Sequence, residues 1–268
     1  MVSLSVAEVA RPSDPLLRCA SVQKSFGALK AVKDLSFVVD KGEILGIGGP
    51  NGAGKTTLFE VLSGFSPADQ GEVVFKGRDI TNTSPDEVSR QGIARVFQST
   101  TSFGSLSTLE NVLLAVVHSR ARGLPLRFVA RDYEFANGLL SEFGLESKSD
   151  IEAARLPVID RKKLMLATAM AVTPDLLLMD EPVGGLTPGE TDEMMSFVRS
   201  ISTKGVTIIL IEHVIRFMTA LSDRIMIMHQ GEKIFEGLPS DIRRDPLVAA
   251  VFLGGQEHVP RKADRGSQ

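Results

Sequence analysis

The strongest constraint on this chain is the stretch from Glu43 to Thr57, Glu-Ile-Leu-Gly-Ile-Gly-Gly-Pro-Asn-Gly-Ala-Gly-Lys-Thr-Thr. Its apolar start (Ile44, Leu45, Ile47) reads as a buried strand, and Thr56, Thr57, Leu58, Phe59 and Val61 begin a helical pattern. The glycine-rich turn between them fits the phosphate-binding template G-x-x-x-x-G-K-[ST] through Gly49, Gly54, Lys55 and Thr56. Glycine lets successive backbone N–H groups turn into one concavity, and the following helix adds the positive end of its dipole. Lys55 can reach the β- and γ-phosphates as a point charge, and the Thr56 hydroxyl can ligate Mg²⁺. At average composition the template arises by accident in about one chain in a hundred of this length, so nucleotide binding outweighs a chance turn.

Bulk composition narrows the setting. The 268 residues suffice for one large domain or two modest ones, and a net charge of −3 gives no electrostatic case for nucleic acid. The single cysteine, Cys19, excludes an internal disulfide and points to a reducing, cytoplasmic setting. The longest apolar runs, Leu176 to Met179 and Val206 to Ile211, are strand-sized and too short for a membrane span. Met1 to Pro15 has neither a basic nor an apolar signal region and reads as a flexible leader. Any membrane role is therefore expected through a partner.

Along the chain, Leu16–Val22, Leu35–Val39, Glu72–Phe75 and Ile93–Phe97 read as strands, the last ending at Gln98. Between the first two lies Lys24 to Val32, where an exposed Phe26 beside a turn could stack on a nucleotide base, or could simply be core. From about 99 to 155 the pattern becomes helical, over Leu109–His118 and Arg127–Phe143, with Gly123-Leu124-Pro125 and Gly144 as breaks. Arg120, Arg122, Arg127 and Arg131 read as a solvated face, a partner or membrane surface being the alternative. Asp160 is expected to cap a helix running to about Val172.

A second phosphate-site element follows. Leu176 to Met179 is an apolar strand ending in Asp180 and Glu181. Asp180 can hold Mg²⁺ through its water shell, and Glu181 can orient or deprotonate an attacking water. Gly205 to Ile211 is another buried strand, ending at Glu212-His213, so His213 can contact a γ-phosphate from the same sheet edge. Arg224–His229 and Glu232–Phe235 read as a closing hairpin around Gln230-Gly231, and the tail past about Gly254 as loose. Strands alternating with helices, with this chemistry at their carboxyl ends, predict an α/β fold with a mainly parallel sheet.

Taken in this order, the motifs resemble those of the ATP-binding subunit of ABC transporters over about residues 16–254. The resemblance implies a P-loop NTPase core, an N-terminal antiparallel β region, a helical insertion subdomain over about 99–172, and a loose tail at 255–268. It implies ATP and Mg²⁺ as ligands. Phe26 and Val32 would lie against the nucleotide, with Gly49, Pro50, Asn51, Gly52, Ala53, Gly54, Lys55, Thr56 and Thr57 as the Walker A loop. Gln98 would join Thr56 and Asp180 at Mg²⁺ and sense the transmembrane partner. Glu181 would be the catalytic glutamate, Gly185-Leu186-Thr187 the D-loop and His213 the switch histidine. Implied partners are a second ATP-binding subunit (a different chain or a second copy), transmembrane permease subunits, and indirectly a substrate-binding protein, with no nucleic acid. The implied location is cytoplasmic, peripheral on the inner face of the plasma membrane.

Phe26 to Val32, Asp180 to Pro188, Ile211-Glu212-His213, and Asp241 to Pro246 with Phe252-Leu253-Gly254 are similar to the branched-chain amino acid importer branch. Urea, amide and lipopolysaccharide systems have closely similar subunits. One departure stands out. Where the family carries Leu-Ser-Gly-Gly-Gln, this chain reads Leu156-Pro157-Val158-Ile159-Asp160, and an arginine expected further on is Thr168. In the family this signature caps the γ-phosphate held by the other subunit. Pro157 offers neither hydroxyl nor N–H, and Ile159 adds β-branched bulk where glycine would admit a close approach. Two unequal ATP sites are therefore expected, with a binding or regulatory subunit of little hydrolysis as the second reading. Non-transport relatives in translation or DNA repair carry paired domains or long insertions that the compact stretch from Gln98 to Leu156 leaves no room for.

Overall fold

The computed structural model describes residues 15–99, 102–120, 127–242 and 244–253. The expectations for the leader before Pro15, for Arg122, for Gly123-Leu124-Pro125, for Arg243, for Gly254 and for the tail fall outside the described residues, as does the Arg120 side chain.

Among the described residues the strands form two sheets. Strands β1 (Leu17–Phe26), β2 (Leu29–Val39), β4 (Gln70–Phe75) and β5 (Arg78–Asp79) make an antiparallel sheet in the order β2-β1-β4-β5. The other sheet contains β3 (Ile44–Gly48), β6 (Ile93–Val96), β7 (Leu176–Asp180), β8 (Thr207–Ile211), β9 (Arg224–His229) and β10 (Glu232–Gly237), ordered β10-β9-β3-β8-β7-β6. All its pairings are parallel except β9 with β10. The expected α/β architecture, a mainly parallel sheet beside an antiparallel N-terminal one, is present.

Strands β3, β7 and β8 are buried along their whole length, as parallel strands covered on both faces must be. Their side chains alternate between two cores. Leu177, Met179, Ile208 and Leu210 pack with the helical layer, while Leu176, Leu178, Ile209 and Ile211 pack with the antiparallel sheet. Helix α1 (Lys55–Leu62) follows β3, and α2 (Pro85–Arg90) precedes β6. The helical layer holds α3 (Thr108–Arg120), α4 (Ala130–Glu142) and α5 (Val158–Met170). Helices α6 (Pro188–Thr203), α7 (Ile215–Leu221) and α8 (Pro246–Leu253) complete the chain. Asn111 on α3 ties down the turn that leads into that helix. It accepts from the Phe103 N–H at 2.8 Å and donates to the carbonyls of Phe103 at 3.1 Å and Ser107 at 2.9 Å.

Two expectations change. The first two strands run much further than Val22 and begin well before Leu35, so Lys24 to Val32 is the tip of one hairpin. Pairing across that tip satisfies backbone groups that side-chain pattern alone leaves unassigned. Asp160 is not a cap. Pro157 takes the N-cap position in an extended conformation, and Asp160 lies inside the first turn, buried, where Lys148 and Lys163 neutralise it.

Candidate nucleotide site

The phosphate loop is shaped by backbone crowding. Gly49 and Gly54 adopt φ of 143° and 97°, and a Cβ there would sit 2.1 Å from the Met228 carbonyl and 2.0 Å from the Ala31 carbonyl. Only glycine satisfies both the left-handed geometry and the contact. Gly231, in the β9–β10 turn, braces the loop by donating to the Ala53 carbonyl at 3.0 Å and accepting from the Lys33 N–H at 2.8 Å. Lys55 opens α1 and folds back over the loop, donating Nζ to the carbonyls of Gly49 at 2.8 Å and Pro50 at 3.0 Å. Burial lowers its pKa, against the pull of Glu181 and Asp180. A buried cation satisfied only by its own loop's carbonyls is poised for an incoming anion.

Topology brings the remaining predicted residues to one edge, because β3, β8, β7 and β6 are parallel neighbours and all end on the same side. Thr56, Gln98 and Asp180 line one open cavity of about 510 Å³. Asp180 is buried, which raises its pKa, with the Arg95 guanidinium as the largest opposing influence. Glu181 takes φ 48°, a strained conformation for a side-chain-bearing residue, and donates its N–H to the Ile211 carbonyl at 3.0 Å. Its carboxylate accepts from Gln98 Nε2 at 2.6 Å and lies 3.7 Å from His213 Nδ1. Gln98, Glu181 and His213 thus stand in one row.

Phe26 is half exposed at the hairpin end, with Lys24 Nζ 5.3 Å from its ring. Val32, predicted beside it at the nucleotide, is buried in the core under the antiparallel sheet and offers no side-chain surface. At the signature position the outward bulk is Val158, 41% exposed at the first residue of α5, whereas Ile159 packs into the helical-layer core. Ile159, the residue expected to obstruct the cap, is turned inward by the phase of the helix. Thr168 sits deeper in the same helix, its hydroxyl donating to the Leu164 carbonyl at 2.8 Å. Thr187 caps α6 in a capping box with Glu190, so the loop that follows Glu181 ends rigidly.

Two residues escaped the sequence reading. Arg95 contacts Asp180 Oδ2 at 3.3 Å, and no local motif marks it. Glu212, noted only as a strand end, is fully buried and accepts from the N–H groups of Val183 at 3.1 Å, His213 at 3.1 Å and Val214 at 3.3 Å. Its position at the polar end of an otherwise apolar strand was the available signal. The donor set suits a hard cation. A hydroxyl, an amide and one carboxylate share a cavity, and among the described residues no group of three His, Cys, Asp or Glu could hold a metal. Mg²⁺ is typically bound in that way, through one or two carboxylates with phosphates and water supplying the rest.

Comparison with known proteins agrees with this geometry. Residues 32–184 match the family described as "ABC transporter". A "Probable branched-chain amino acid transport ATP-binding protein LivG" of Archaeoglobus fulgidus is 36% identical over 249 residues, covering 90% of this chain and 96% of the relative. A "Lipopolysaccharide export system ATP-binding protein LptB" of Acidithiobacillus ferridurans is 34% identical over 244 residues, covering 91% of this chain and 99% of the relative. Among solved structures, a nucleotide-free ATP-binding cassette from an ABC transporter is similar at TM-score 0.82 and 31% identity, covering 90% of this chain and 100% of that one. The ADP conformation of such a cassette is similar at TM-score 0.81 and 31% identity, covering 90% and 99%.

Proposed function

Because this chain belongs to the ABC transporter family, we propose that it is the ATP-binding subunit of an importer, hydrolysing ATP to drive uptake of branched-chain amino acids. The observation that carries the reading is the row Gln98–Glu181–His213 standing beside a cavity lined by Thr56, Gln98 and Asp180. Lys55 exchanges the carbonyls of Gly49 and Pro50 for β- and γ-phosphate oxygens. Glu181 orients the attacking water and takes its proton, held by Gln98 until the substrate is seated. His213, half exposed beside it, reaches the γ-phosphate. Thr56, Asp180 and Gln98 would hold Mg²⁺, which would supply charge neutralisation at the phosphates.

The cargo assignment draws on the names of relatives such as the LivG protein, and the similarity to the LptB protein keeps a different cargo as its alternative. No helix among the described residues is long and apolar enough to cross a membrane, so we assign membrane attachment, on the inner face, to permease subunits. A groove of about 810 Å³, with exposed Phe65, Phe103 and Leu114 on its walls, offers an apolar permease segment a seat next to Gln98. A substrate-binding protein would act through those permeases.

We further propose that the pair of ATP sites is unequal. The cap needs backbone approach at the start of α5, where Pro157 lacks an N–H and Val158 projects outward. The working site is then the one built on Lys55 and Glu181, capped by a partner subunit with an intact signature. A subunit that binds ATP but scarcely hydrolyses it is the second reading, and the same Pro157 and Val158 favour it. Steady-state and single-turnover hydrolysis, for the chain alone and with its partner, test both. Turnover is expected only in the mixed assembly. Strong hydrolysis by the chain alone rejects the asymmetry, and none in the mixed assembly rejects the enzyme.

A further inference from the structure

Three residues line both the nucleotide cavity and the apolar groove: Phe65, Arg95 and Phe97. They form the partition between the two spaces. The Phe65 and Phe97 rings meet edge to face, with centroids 5.6 Å apart. The Arg95 guanidinium lies against them, its carbon 4.6 Å from the Phe97 centroid and 6.0 Å from that of Phe65, with Phe59 at 5.8 Å from beneath. From this aromatic bed Nη2 reaches Asp180 Oδ2 at 3.3 Å, and Nη1 donates to the Ser63 hydroxyl at 3.1 Å.

A buried ion pair is a weak source of stability. The Arg95 side chain is only 7% exposed, and its Nε is buried without a hydrogen-bond acceptor. A guanidinium in such a place incurs a desolvation cost, set against one 3.3 Å ion pair, the Ser63 hydrogen bond and the ring contacts. Planarity gives the group its use. A fork that stacks on rings and holds a carboxylate makes a rigid link between a wall and an anion, which a lysine cannot reproduce. The link to Asp180 is through Oδ2, which leaves Oδ1 for the water shell of a cation.

We propose that Arg95 is a positioning residue that ties Asp180 to the Phe65–Phe97 wall, so that the shape of the groove wall sets how well the nucleotide site accepts Mg²⁺. The inference rests on the proposed ATP-binding function. It adds a mechanical path from the groove to the metal-holding carboxylate that runs beside Gln98 and does not pass through it.

The test is a Mg²⁺ titration of nucleotide binding by the full-length chain, read with a fluorescent ATP analogue, alongside the same binding in EDTA. Arg95→Met is expected to raise the Mg²⁺ midpoint at least tenfold and leave affinity in EDTA within twofold of wild type. Phe97→Leu, which alters the wall without touching Asp180, is expected to raise the midpoint about threefold. Arg18→Met, which removes a half-exposed β1 charge paired with Glu72, serves as the control and stays at the wild-type midpoint. An unchanged or lowered midpoint in Arg95→Met overturns the proposal, as does an equal loss of affinity in EDTA. Should Arg95→Met fail to fold, Arg95→Lys carries the test: charge kept and fork lost predicts at least a threefold rise, and no rise overturns the proposal. Failure of the unaltered chain to bind ATP at all overturns the proposed function as well, whereas normal binding with indifferent variants overturns this inference alone.

Discussion

Gln98 Nε2 donates to Glu181 Oε2 at 2.6 Å, joining the second residue past β6 to the one that follows β7. Residues 97–175, which include helices α3 to α5, lie between those strands in sequence, so a displacement of Gln98 would reach the carboxylate proposed to handle the attacking water.

Replacing Glu181 by glutamine keeps a partner for Gln98 but removes the proposed base. We expect ATP binding within threefold of wild type and turnover lower by about 10² to 10⁴, the range that positioned general bases supply. Single-turnover hydrolysis of labelled ATP in the partnered assembly checks this, with unhydrolysed ATP retained by the variant. Unimpaired turnover would reject the assigned role.

Gly54→Ala is expected to damage fold and site together. The new Cβ would meet the Ala31 carbonyl at 2.0 Å in a backbone held at φ 97°. Left-handed strain and overpacking together cost about 2 to 4 kcal/mol. Urea denaturation should show that loss, and calorimetry should show weakened ATP binding. Gly52→Ala, with φ 78° but nothing within 4 Å of its Cβ, should cost only the strain, about 1 to 2 kcal/mol.

The unequal pair predicts a gain of activity. Pro157→Ser with Val158→Gly restores a hydroxyl and a close-approaching backbone at the start of α5, at about 1 kcal/mol of helix stability for the glycine. ATPase activity of the chain alone should rise at least tenfold. A flat response would show that obstruction by Pro157 and Val158 is not what limits the second site.

Glu212 predicts a pH dependence of stability. Burial raises its pKa above the ordinary value of 4.5, although the amides of Val183, Val214 and His213 and the charge of His213 pull it down. Between 4.5 and the raised value the native state holds a proton that the unfolded chain has released, so stability falls as pH rises through that window. The contribution is fully present below 4.5 and lost above the raised pKa. Denaturation from pH 4 to 8 should show this slope in wild type and a shallower one in Glu212→Gln, whose amide does not titrate.

Much of this molecule could be read locally. The strand–turn–helix from Glu43 to Thr57 announces itself because glycine, lysine and threonine act on their own sequence neighbours. The apolar runs of β7 and β8 likewise report burial on both faces wherever they occur. The shared sheet edge of Asp180, Glu181, Gln98 and His213 could be read because each lies at or within two residues past the end of a strand, and these parallel strands end on one side. Other features depend on partners far away in sequence. Arg95 has no motif, and its meaning comes from Asp180, 85 residues on, and from three phenylalanine rings. Glu212 matters through Val183, 29 residues back. Asp160 looked like a cap until Pro157 took the position and Lys148 and Lys163 enclosed the carboxylate. Ile159 and Val158 exchanged weight because the phase of α5 against the core decides which of two adjacent side chains faces out. The sequence by itself thus determined the phosphate chemistry and the sheet that gathers it, since both follow from short-range geometry. Only the tertiary structure decided which charges are buried, what they face, and where the nucleotide cavity shares a wall with the groove, because those depend on packing between segments that no local pattern links.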